Sequence, residues 1–150
     1  MNDTATATLH DLIPILKDGE EGFLAAAEDA EAPELKQQFE DFARQRSLFA
    51  GELQDLARSL GVSNPPDGGT VTGAIHRGWL GLKAAIATRD AYAILVECER
   101  GEDAAVSAFR KALQNGPLPA DVRSALHLQA AAIETAHLRI RSLRDSLAPK

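Results

Sequence analysis

A chain of 150 residues, 45% hydrophobic and 25% charged, is long enough to bury a core without disulfide or metal staples, and one domain over residues 1–150 is expected. A formal charge of −6 with no Lys/Arg block argues against nucleic acid and anionic membranes as partners, and the single cysteine, Cys98, excludes an internal disulfide framework. No apolar run approaches the roughly 20 residues that cross a bilayer, and the N-terminus lacks the basic and apolar stretches of a signal peptide, so a cytoplasmic protein is expected.

Abundant alanine and few β-branched residues point to helices throughout. Leu9, Leu12, Leu16, Phe23 and Ala27 recur at helical spacing, which predicts a first helix from an N-cap at Thr8 to about Ala30. Glu20 falls on that stripe. Pro33 opens a second helix, whose stripe of Leu35, Phe39, Phe42, Phe49, Leu53, Leu56 and Leu60 runs to Gly61 with Arg46 in its middle. Residues 61–70, with two prolines and three glycines, must form a loop. Ile75, Trp79, Leu82 and Ile86 predict a further helix over residues 71–87.

A single helix over residues 71–114 would be about 66 Å long, far longer than its neighbours, so a break is expected near Thr88 to Asp90, with Asp90 capping the next helix. This third long helix carries Tyr92, Leu95, Cys98, Val106, Phe109 and Leu113, with Glu102 on its stripe. It stops at Asn115-Gly116-Pro117. The last helix spans residues 119–147, with Val122, Leu126, Ile133, Ile140, Leu143 and Leu147 inward and Glu134 and His137 on or beside that face. The expected fold is therefore all-α. Two short connections flank one long one, the pattern of a ferritin-like four-helix bundle with an additional helical crossover, residues 61–89, between the second and third long helices. A plain up-down-up-down bundle is the alternative.

Ionisable groups on apolar faces cost free energy unless they are paired or bound. Glu20 lies about 12 residues before the first turn and Arg46 about 13 after it, and the same counting brings Glu102, Glu134 and His137 to one height. A di-metal carboxylate bundle takes Glu from two helices and Glu-x-x-His from each of the other two. This chain supplies Glu20, Glu102 and Glu134-Thr135-Ala136-His137. Arg46 stands where the second Glu-x-x-His is needed, and its guanidinium would repel a neighbouring cation. Counting His137 as protonated, the layer is near −1 without any metal. The expectation is a metal-free ion-pair layer around Arg46, against one iron or manganese ion held by Glu20, Glu102, Glu134 and His137, with Glu99 as an extra ligand.

Glu97, Glu99 and Asp103 crowd around Glu102 and read first as a solvated acidic face. Cys98 reads as a buried structural thiol. His76, Arg77 and Trp79 suggest a packing or partner contact for the crossover, while His10 and His127 read as surface residues. No Ser-His-Asp order, phosphate loop or zinc-finger spacing is present, so no catalytic residue is assigned.

Lys17-Asp18-Gly19-Glu20-Glu21-Gly22-Phe23, Gly73-Ala74-Ile75-His76-Arg77-Gly78-Trp79, Glu97-Cys98-Glu99-Arg100-Gly101-Glu102-Asp103 and His137-Leu138-Arg139-Ile140-Arg141-Ser142-Leu143-Arg144-Asp145 together resemble a bacterial family of ferritin-like four-helix-bundle proteins of unknown function, distant relatives of rubrerythrin. The resemblance implies a stress-associated cytosolic bundle and brings no established activity. Two functions are expected on these grounds: a homodimeric binding or structural module with a central polar layer, and, as the alternative, a metal-dependent rubrerythrin-like oxidase or peroxidase. The first is preferred.

Overall fold

A computed structural model describes residues 2–70 and 73–148, with side chains over 2–70 and 80–148. Among the described residues there are five helices and no strand. The expected contacts of Ile75, His76, Arg77 and Trp79 lie outside the described side chains.

Helix α1 spans Asn2–Asp29 and starts upstream of the expected cap at Thr8. Ala5 is fully buried, four residues before Leu9, so the apolar stripe continues toward the N-terminus and carries the helix with it. Pro14 sits inside α1, where it removes one backbone donor. Helix α2 spans Pro33–Ser59, with Pro33 in the first turn after an extended Ala32 and Gly61 at φ +98° beyond its end.

Helix α3 spans Gly73–Thr88, and Arg89, at φ 58°, turns the chain into helix α4, Ala91–Gln114. The Asp90 carboxylate accepts from the Tyr92 backbone N–H at 3.0 Å, the expected cap. Asn115 and Gly116, at φ +88°, close α4, and helix α5 spans Ala120–Ser146. The expected breaks at Pro33, Asp90 and Asn115-Gly116-Pro117 therefore all occur where the backbone chemistry demands them.

Helices α1 and α2 pack as one hairpin and α4 and α5 as another; α1 also lies against α4, and α2 against α5. Helix α3 packs on α4 and α1. The loop after α2 runs back along the hairpin. Gln54 Nε2 donates to the Pro66 carbonyl at 2.8 Å, and the Thr70 backbone N–H donates to Asp18 Oδ1 at 3.0 Å, with the Thr70 hydroxyl donating to Oδ2. Asp18 lies about 24 Å along α1 from Asn2, so the loop recovers much of the helix length before α3 begins. None of the described helices is long and apolar enough to cross a membrane.

The core falls into two clusters. One holds Leu9, Leu12, Leu16, Leu53, Phe109, Leu126 and Ile133, with smaller neighbours. The other holds Phe23, Phe39, Leu82, Leu95, Cys98 and Ile140, also with smaller neighbours. Between them, on α2 and α4, sit Arg46 and Glu102.

Candidate functional site

Arg46 is 1% exposed and Glu102 3%, and both lie where an apolar side chain would continue the core. Arg46 Nη1 donates to Glu102 Oε1 at 2.5 Å and Nη2 to Oε2 at 2.6 Å, a two-pronged pairing across α2 and α4. Parallel N–H···O bonds of this kind are strong and directional. The guanidinium carbon stands 5.4 Å from the Phe23 ring centroid, and Arg46 Nε donates to Gln45 Oε1 at 3.3 Å. Phe23 in turn packs on Phe42 and Phe39, with centroids 5.3 and 6.2 Å away.

Gly19 explains how so long a side chain crosses α1: a Cβ there would lie 3.3 Å from Arg46 Cγ and 3.4 Å from Nη1. A cavity of about 60 Å³ adjoins the pair, lined by Gly19, Gly22, Phe23, Leu82 and Cys98 among others. Burial pushes the Cys98 thiol well above its ordinary range, and the Glu102 and Glu97 carboxylates push it further. The thiol is therefore protonated at neutral pH and a poor nucleophile.

A second polar cluster lies toward the outside, between α4 and α5. His137 Nε2 is 2.5 Å from Asp103 Oδ1 and 4.0 Å from Glu99 Oε1. Glu99 is buried, and its oxygens also meet Arg141 Nε at 3.4 Å and Arg144 Nη1 at 2.5 Å. Arg110 holds Glu134 Oε1 through Nε at 3.0 Å and Nη2 at 2.6 Å. Asp103, Arg110, Glu134, His137 and Arg141 border a groove of about 680 Å³ that also takes in Ser107 and Lys111.

The expected single layer is thus divided. Arg46 and Glu102 meet in the core, Glu134 and His137 face the groove, and Glu20 is partly exposed and paired with Lys17 of its own helix at 3.3 Å. Each of the four expected ligands has a different nearest ionic partner. Among the described residues, the group of three His, Cys or carboxylate side chains whose ligand atoms lie within 4.8 Å of one another is Glu99, Asp103 and His137.

Glu99 corrects the reading of a solvated acidic face, because α5 covers it and supplies its cations. Sequence reasoning misses three further side chains. Asp103 groups with the solvated face by composition, although it stands one turn after Glu99 and so shares its side of α4. Buried Asp18 lies on the flank of α1 opposite Glu20, which the crossover loop covers; no pattern within α1 announces that neighbour. Gln129, fully buried, donates through Nε2 to the Phe49 carbonyl at 3.3 Å and Glu52 Oε2 at 3.1 Å, tying α5 to α2. Its place three residues after Leu126 and four before Ile133 is the signal that could have found it.

No curated protein matches this sequence. A family profile does, over residues 4–115, a span that runs from the first turn of α1 to the end of α4 and includes Arg46 and Glu102, while Glu134 and His137 lie on α5 beyond it. The chain belongs to the family described as a domain of unknown function, DUF2383.

Proposed function

We propose that α1, α2, α4 and α5 form a ferritin-like four-helix bundle, with residues 61–89 as its crossover, and that the protein is a binding or structural module rather than an oxidase. The observation that carries this reading is the Arg46–Glu102 pair: both carboxylate oxygens of Glu102 are engaged by the guanidinium at the level where a bundle metal centre would need them. Register-setting is the best-attested use of such buried polar groups. The pairing of the two hairpins and the return of the loop to Asp18 support the crossover topology.

A homodimer completes the proposal, since Leu128 and Leu138, 64% and 59% exposed, lie on one side of α5. The resemblance to rubrerythrin's distant relatives suggests a stress-associated cytoplasmic setting. The competing oxidase reading needs Glu20, Glu102, Glu134 and His137 around one ion, whereas Glu102 and Glu134 each have an arginine on their carboxylate and Glu20 has a lysine.

The test compares the wild type with the double variant Arg46→Met/Glu102→Leu, which removes both charges and keeps the site apolar. After anaerobic Fe(II) addition and desalting, the two proteins should retain the same amount of iron, and neither should consume oxygen on exposure to air. Iron or oxygen uptake present in the wild type and lost in the double variant would overturn the proposal.

A further inference from the structure

We propose that the cavity beside the Arg46–Glu102 pair is a binding site for a small neutral hydrogen-bond acceptor with an apolar remainder, such as a short aldehyde or nitrile. The cavity holds about 60 Å³, and its wall is mostly carbon, from Ile15, Gly19, Phe23, Leu82 and Ala105 among others. An apolar cavity of about 150 Å³ takes benzene, so in proportion this one takes about two to three heavy atoms. Gly101 lines the cavity and is also exposed, which gives such a molecule its way in.

The second observation is the state of Arg46, which stands in that wall at 1% exposure. A guanidinium carries five N–H donors. Three are spent, Nε on Gln45 and one each from Nη1 and Nη2 on Glu102, and the other two have no hydrogen-bond partner among the described residues. Buried donors without an acceptor are costly, and an acceptor held in the cavity relieves that cost. Nη1 stands beside Gly19, another wall residue, where a Cβ would lie 3.4 Å away, so the absence of a side chain there keeps the guanidinium open to the space.

The charge of the wall sets the charge of the ligand. Glu102 already neutralises the guanidinium, and Asp18 and Glu97, also in the wall, are held by Thr70 and Arg100, so an anion would add negative charge beside three carboxylates. A neutral acceptor uses the charge-assisted N–H groups without that repulsion. Water is the competing guest, but a buried water takes about three hydrogen bonds, which a wall made mostly of carbon supplies poorly. An acceptor with an apolar tail matches both parts of the wall. The site rests on the reading of the chain as a binding module whose core pair holds no metal.

The probes are acetonitrile and propyne, which matches it in shape but lacks the nitrogen acceptor, titrated into the full chain and followed by backbone amide NMR shifts at Gly19, Gly101 and Ala105. Acetonitrile should bind saturably with a millimolar dissociation constant, near the limit for so small a ligand. The ratio of acetonitrile to propyne affinity should fall by about tenfold or more in Arg46→Met/Glu102→Leu, which removes the donors and keeps the site apolar. Ala105→Val, which adds bulk to the wall, should weaken both probes by about tenfold or more, with circular dichroism checking the fold of each variant. Formate, of similar size but charged, should not compete. Absence of saturable shifts up to about 100 mM acetonitrile, an unchanged ratio in the double variant, unchanged binding in a folded Ala105→Val, or competition by formate would overturn the site. Iron uptake by the wild type that the same double variant loses would instead overturn the metal-free reading on which the site rests.

Discussion

Cys98 sits in the cluster above the ion pair, with Glu102 and Glu97 as its charged neighbours. Burial is the larger cause of its raised pKa and the two carboxylates the smaller, and all three favour the thiol over the thiolate. The folded-state value lies above the ordinary 9.0, so above that pH the unfolded chain loses a proton that the folded chain keeps. Stability from this group is complete below about pH 9 and falls as pH rises, by at most about 1.4 kcal/mol per unit. Urea unfolding of wild type and Cys98→Ala at pH 8 and pH 10 measures it: the wild type should lose more stability over that interval than the variant. Equal losses would show that the thiol ionises as readily in the folded chain as in the unfolded one.

At the scale of elements, the long connection is fixed by the contact of Thr70 with Asp18 in the middle of α1. Gly69 makes that approach possible, because a Cβ there would overlap Asp18 Oδ1, whereas one at Gly68 would meet nothing within 4 Å. Gly69→Ala should cost about 1–3 kcal/mol, the usual effect of forcing a methyl into a filled space, and should expose the loop to proteolysis. Gly68→Ala should change the melting temperature little. This contrast also shows what the sequence could reveal. Pro33, Asp90 and Asn115-Gly116-Pro117 mark helix ends because their chemistry is local: a missing donor, a carboxylate cap, a positive φ. Helix rise converts residue counts into height, which set Arg46 level with both Glu20 and Glu102 but could not choose between them. The burial of Asp18 and Glu99 was not legible, since it depends on which other segment covers that flank. Height alone also could not separate Glu134 and His137 from the core, because rotation about the helix axis decides whether a residue faces the centre or a groove.

Across the whole molecule, one buried ion pair separates two apolar clusters and joins α2 to α4, which belong to different hairpins. Desolvating two charges offsets much of their attraction, so the pair adds little net stability over an apolar filling, but breaking it leaves one charge buried and unpaired. The pair therefore acts as a coupling between the two hairpins, and a thermodynamic cycle by urea unfolding measures it. Arg46→Met and Glu102→Leu should each destabilise the fold by about 3–5 kcal/mol, while the double variant should recover most of that loss. Single effects that simply add in the double variant would show that the two side chains do not depend on each other.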